Sequence, residues 1–433
     1  MGGRRAVTAH RSKEYRVAPN ELSSNRQVDM SAQPFAIQIK SPRFAIIELF
    51  GGDNNLSSYV DTDLNEMLDG LPGDGLVIAL TDHFGSAAKV LELSHGRLRA
   101  LDDWGEIDTG DPVILTTFLT RALASVPADV PVAIGFWDHG SGVFDEADPG
   151  ADIVARGRAV TPRRRALRQR PRRRLFWGSR PADQQIRAML HDDTNGGLLT
   201  TLEAGKVLSG SLAAAGRSKV EMIFSDTCLN GMVEVLAEFD TVARVVTASE
   251  DLEPGDGWDY HRWLGGLASG PVDGQRLGQS AVAAFEQSYL SRPELFPCTL
   301  GAFTASGAIV AAFKALIAAT QPLGESGFIS LDTARRRSQS FDIKDSYDII
   351  DFAQNLTAIA QDPVLRSAAG VLEQATIAAR IAHCALGPSV GRSQGLAFWF
   401  PSSRGEWFNT SATYSALYFD RTTGWARYLR EFL

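Results

Sequence analysis

The sequence predicts an α/β fold: a three-layer sandwich with a mainly parallel central sheet and helices on both faces. Three observations carry this. Short apolar runs rich in branched residues recur along the chain, and helical patterns alternate with them. The 433 residues are 44% hydrophobic and 22% charged, which excludes global disorder and leaves ample apolar surface for a core. Strands covered on both faces read as continuous apolar runs, and their alternation with helices implies parallel pairing through crossovers.

The elements follow in order. Residues 1–34 are polar and unpatterned, and read as a flexible tail; residues 35–433 read as one domain. Residues 43–50 (RFAIIELF), 76–80 (LVIAL), 132–137 (VAIGFW), 220–224 (VEMIF) and 242–248 (VARVVTA) predict buried strands. Residues 61–68, 112–124, 201–215 and 229–239 predict helices between them, and 395–400 a late strand ending at Pro401. Residues 307–324 are apolar but broken by Lys314, which predicts a buried helix and no membrane span. The stretch holding Cys384 is rich in Ala and Ile and predicts a core helix.

No apolar run follows the basic residues near the start, so no signal peptide is apparent and the cytoplasm is the default compartment. Ala6 stands where a myristoylation signal wants Ser or Thr. Three cysteines are too few for a disulfide framework.

Residues 156–174 (RGRAVTPRRRALRQRPRRR) hold ten arginines and no acid. The whole chain carries −8, and without those arginines it would carry −18. Two prolines and dense like charge oppose a helix there, so about 150–180 reads as an exposed loop interrupting the domain. Nucleic-acid binding through it is an alternative that the acidic remainder disfavours.

Two strand ends carry the chemistry. The run 132–137 leads into Asp138-His139-Gly140-Ser141-Gly142, and 220–224 leads into Ser225-Asp226-Thr227-Cys228-Leu229-Asn230-Gly231. In open α/β sheets, ligands bind beyond the carboxyl ends of the strands. A helix starting near Leu229 would favour the thiolate of Cys228. The turn Gly51-Gly52-Asp53-Asn54-Asn55 lies at the same edge and reads first as a helix cap. Asp226 and the acidic turn 249–259, with Asp256 in it, supply carboxylates that suit a guanidinium. Asp/Gly clusters of that kind also suit calcium.

The stretches GGDNNLSSYVDTDLNEM, FWDHGSG, SDTCLNGMVEV, TASEDLEPGDGWDY and QGLAFWFP, in this order, resemble those of the clostripain family. The resemblance implies a caspase-like fold and a cysteine endopeptidase cutting protein or peptide substrates after basic residues. It carries His139 and Cys228 over as a catalytic dyad, and the backbone N–H groups of Gly140 and Cys228 as an oxyanion hole. It also implies Asp226 as the floor of the pocket for the residue before the cut bond (P1). On charge grounds Asp256 is a candidate second pocket carboxylate, after Asp226. No cofactor is required; calcium stays open, because the family knows calcium dependence while no EF-hand pattern occurs here. Asp138 stands where the family often has Asn. Internal processing is a family habit, and the arginine loop lies between the dyad segments, with Arg165, Arg170 and Arg174 as candidate cut sites. The alternative is a catalytically silent caspase-like binding module.

Overall fold

The computed structural model describes residues 33–144, 189–304, 307–341 and 345–433. The expected tail, save residues 33 and 34, and the arginine-rich loop lie outside the described residues. The first half of the chain gives β1 (Phe44–Gly52), α1 (Ser57–Gly70), β2 (Gly75–His83), β3 (Ser86–Ser94), β4 (Arg97–Gly105), α2 (Pro112–Ser125), β5 (Val132–Trp137), β6 (Leu190–His191), β7 (Leu198–Leu199) and α3 (Thr201–Ala214). Next come β8 (Val220–Asp226), α4 (Val233–Phe239), β9 (Ala243–Ala248), α5 (Tyr260–Gly265), α6 (Gly274–Tyr289), β10 (Cys298–Thr304), α7 (Gly307–Thr320) and α8 (Glu325–Arg337). The last are β11 (Ser346–Asp348), α9 (Ile349–Ile359), α10 (Pro363–Ala379), β12 (Arg380–Leu386), β13 (Ala397–Trp399), α11 (Arg404–Tyr414), α12 (Tyr418–Thr423) and α13 (Trp425–Arg430).

Nine strands form the central sheet in the order β12-β10-β9-β8-β5-β1-β2-β3-β4. The five inner strands β9, β8, β5, β1 and β2 are parallel. Antiparallel pairs close both edges. Every residue of β1 is buried, and its side chains alternate between two cores. Ala45, Ile47 and Leu49 join residues of α2, α3, α4 and α7; Phe44, Ile46 and Phe50 join residues of α1, α5 and α6. That is the expected three-layer sandwich, and a period of two explains the division.

The edge strands β3, β4, β10 and β12 escaped the sequence reading. Half-exposed β4 (RLRALDDWG) lacks the apolar run that marks an inner strand. β10 passes so near residue 395 that a Cβ at Gly301 would lie 2.2 Å from the Gly395 carbonyl oxygen. Cys384 is buried as expected, but on strand β12 rather than a helix. The late strand β13 pairs with β11, outside the central sheet, and is bridged at Ala397 to Met232. Through β10 and β12 the C-terminal third joins the central sheet. No helix among the described residues is long and apolar enough to cross a membrane.

The helix expected from Leu229 begins at Val233 instead. Residues 229–231 are engaged elsewhere: Leu229 N–H donates to the Asp251 carbonyl (3.2 Å) and Gly231 N–H to the Ser249 carbonyl (2.7 Å). Leu229 itself has φ +65°, a left-handed conformation outside the right-handed helical range. Cys228 therefore sits in a loop, and the helix-terminus argument for its thiolate does not hold.

Candidate active site

Strands β5 and β8 are parallel neighbours, with Trp137 opposite Asp226. His139 and Cys228 each lie two residues beyond that pair, so both leave the sheet at the same carboxyl edge. The two loops press together. A Cβ at Gly140 would lie 2.2 Å from the Cys228 carbonyl oxygen and 2.6 Å from Thr227 Oγ1, so glycine is what permits the approach. Gly142 N–H donates to Asn230 Oδ1 at 3.1 Å, and Asn230 Nδ2 to Thr227 Oγ1 at 2.5 Å.

The histidine is held from the β1 loop. His139 Nε2 lies 2.8 Å from Asn55 Oδ1. An amide oxygen can only accept, which puts the proton on Nε2 and makes Nδ1 the basic nitrogen. Asp138 is fully buried and acts as a hub. Its Oδ1 accepts from Asn54 Nδ2 (2.8 Å) and from His139 N–H, and its Oδ2 accepts from His191 N–H. An Asn there could not accept through both side-chain atoms, so Asp suits this network. The turn read as a helix cap is thus two things: Asn54 Oδ1 accepts from Leu56 N–H, while Asn54 and Asn55 also position the His139 segment. Sequence reasoning missed Asn55 and the hub role of Asp138, because these contacts span about 84 residues. His191 is buried and part of the hub.

Cys228 is fully buried. Its Sγ accepts from Glu253 N–H at 3.3 Å. Burial first, then Glu253, Asp251 and Asp226, push the thiol well above its ordinary range. In this conformation Cys228 is a covered thiol, not a thiolate. Asp226 is also fully buried; its Oδ2 accepts from Trp258 N–H (3.2 Å) and Tyr260 Oη–H (2.9 Å). Burial raises its pKa to about 6, against hydrogen bonds from Glu253, Trp258 and Tyr260 that favour the charge. Glu253 is driven up more strongly, by burial and by Asp226, so it is the protonated partner of the pair. Glu48 and Asp63 lie near enough for mutual repulsion, and burial raises both. Gly135 makes room for Glu48, since a Cβ there would lie 2.3 Å from Glu48 Oε2. No spacing signal in the sequence announces Glu253 or Glu48.

The structure does not bring Asp256 into this buried group. It lies on the surface, where Arg292 Nη1 bonds Asp256 Oδ2 at 2.6 Å. Arg165, Arg170 and Arg174 lie outside the described residues. Among the described residues, one group could hold a metal ion: Asp53, Asp82 and Asp192, with one oxygen from each within 4.8 Å of the others. None of the carboxylates in 249–259 belongs to it.

A parallel sheet between helical layers, with a histidine and a cysteine on neighbouring strand ends, defines the class: a caspase-like α/β protein. The model of the clostripain family matches residues 49–159 and 177–353, and the chain belongs to that family. It is therefore a cysteine peptidase acting on protein or peptide substrates. The gap in the match falls on the arginine-rich stretch. Solved structures agree on the fold. A secreted C11 cysteine protease from Bacteroides thetaiotaomicron in complex with an irreversible peptide inhibitor superposes with a TM-score of 0.63 at 15% identity, over 89% of this chain and 99% of that one. An inactive zymogen C11 protease from Parabacteroides distasonis gives 0.62 at 15% identity, over 89% and 99%. No curated protein sequence matches the chain significantly.

Proposed function

We propose that the chain is an endopeptidase that cuts after basic residues, Arg over Lys, through a Cys228–His139 dyad, and that it processes itself within 156–174. The observation that carries the dyad is the pairing of β5 with β8, which sets both segments at one edge. Cys228 Sγ attacks the scissile carbonyl and gives its proton to His139. His139 then protonates the leaving amine, and later activates the water that hydrolyses the acyl-enzyme. The N–H groups of Gly140 and Cys228 are the proposed oxyanion donors. Asp226 is the proposed partner of the P1 guanidinium, with Glu253 holding a shared proton beside it.

The covered thiol and the Trp258 N–H bonded to Asp226 fit a latent form awaiting cleavage. Asp256 is a secondary contributor that must first leave Arg292.

Intact mass of purified wild type beside Cys228→Ala tests this. The expected result is cleavage after an arginine of 156–174 in the wild type only. Cleavage in both assigns the cut to another protease. No cleavage in either removes self-processing, and failure of the wild type on an added Arg-peptide would then remove the basic P1 preference.

A further inference from the structure

Asp53 lies in the loop after β1, Asp82 on the last turn of β2, and Asp192 just after β6. All three are fully buried. No hydrogen bond of ordinary geometry reaches either carboxylate oxygen of Asp53 or of Asp82; the Thr194 side chain and His83 N–H come near enough only to favour their charged forms somewhat. Asp192 is only half served: Asn195 N–H donates to Oδ1 (2.7 Å) and Thr109 N–H to Oδ2 (3.1 Å). The buried Thr109 hydroxyl, on the residue that bonds Asp192, is unpartnered too. The leading charges acting on Asp82 are further carboxylates, Asp192, Asp53 and Glu106. Unpaired buried carboxylates are among the costliest groups a fold can hold, unless protons or a cation neutralise them.

We propose that Asp53, Asp82 and Asp192 form a site for one divalent cation of the calcium class, which fastens the β1 loop and the 190–199 hairpin to the end of β2. The donor set is all oxygen, which selects hard cations over zinc or copper. Calcium binds six to eight oxygens at about 2.4 Å in flexible geometry, whereas magnesium holds its waters and demands a tight octahedron. Ligands from three separate elements, all closed off from solvent, suit the larger, more easily dehydrated ion. The charge of Glu106 bears on Asp53 and Asp82 as well, which adds to the negative field a cation would answer.

The site touches the catalytic edge through the chain itself. Asp53 precedes Asn54 and Asn55, which hold Asp138 and His139. Asp192 follows His191, whose N–H donates to Asp138. Asp53 carbonyl accepts from Asp193 N–H at 2.7 Å, which already ties the two loops. Filling the site would stiffen the frame that orients His139.

The test uses the full-length Cys228→Ala chain, stripped with EDTA, so that its outcome is independent of peptidase activity. Titration calorimetry with CaCl2 is expected to show one ion per chain, and 1 mM CaCl2 to raise Tm by several degrees, with MgCl2 much weaker. Asp82→Asn and Asp192→Asn should abolish both responses. Their apo forms should unfold no lower than the parent, because the exchange relieves repulsion; Asp53→Asn serves in place of either variant that fails to fold. Asp61→Asn, at an exposed carboxylate, should respond as the parent does. No heat and no Tm shift in the parent, or a response retained by the site variants, overturns the site. Equal response to magnesium overturns the calcium class.

Discussion

Two buried groups of carboxylates sit at the carboxyl edge of the sheet, and they are neutralised by different means. Around Asp226, aromatic residues supply donors: Trp258 N–H and Tyr260 Oη–H to Asp226, Trp137 Nε1–H to Asp63 at 2.7 Å, and Trp258 Nε1–H to Glu253 at a long 3.5 Å. Only Glu48 in that set lacks a donor on either oxygen. In the group around Asp82 only Asp192 has such donors, Asn195 N–H and Thr109 N–H, and no well-formed hydrogen bond reaches Asp53 or Asp82. A carboxylate with two donors can stay charged in the dark of a core and still greet an incoming guanidinium. One with none needs a proton or an ion. Burial and acidity alone therefore do not assign a role; the donors do.

The largest expected effect belongs to the thiol that the first group surrounds. Cys228→Ala should reduce kcat/KM on an Arg-peptide by at least about 1,000-fold, measured on enzyme nicked in trans so that processing does not confound the rate. Wild-type activity in that variant would remove Cys228 from the chemistry. The covered thiol adds a second expectation. Because its pKa is raised by burial, alkylation at pH 7 should be slow before cleavage and accelerate after it, as followed by mass spectrometry with iodoacetamide.

Asp226→Asn comes next. Loss of the charge that meets a guanidinium should lower kcat/KM for Arg substrates by about 100-fold. Labelling of Cys228 in the nicked form should persist, which separates a pocket defect from a folding defect. Retained Arg preference would transfer the pocket to another carboxylate, with Glu48 first in line.

The pH dependence follows from the same pair. Asp226, raised to about 6 by burial, must be ionised to hold Arg, so kcat/KM should fall as pH drops through about 6. Glu253→Leu removes the hydrogen bond that favours the charged Asp226. Its pKa then rises, and the acid limb should move up by roughly one unit. Glu253→Gln keeps a donor and should leave the limb near its place. An acid limb indifferent to both changes would detach Glu253 from Asp226.

The inner strands were legible in the sequence because β1, β2, β5, β8 and β9 are apolar on both faces, and their ends pointed to His139 and Cys228. What was not legible depended on distant partners. The start of α4 is set by hydrogen bonds to residues 249 and 251, not by the local pattern from Leu229 to Phe239. Asn55 looks like any polar turn residue until β5 brings His139 beside it. Asp53, Asp82 and Asp192 share no spacing; only the parallel pairing of β1 with β2 and the return of the chain after residue 188 gather them.

The smallest effect probes the link between the two groups. Asn55 is two residues from Asp53 and bonds His139 Nε2, so it is the place where the unpartnered group could reach the chemistry. Asn55→Ala removes that bond without touching the thiol, the pocket or any of the three aspartates. Its kcat should fall about tenfold with KM unchanged, since orientation of the base is lost while substrate contacts remain. If calcium acts through this loop, the ion should raise kcat in the wild type and not in Asn55→Ala, while raising Tm in both. A calcium effect on kcat that survives in Asn55→Ala would send the coupling through Asp192, His191 and Asp138 instead, the other chain of bonds that reaches His139.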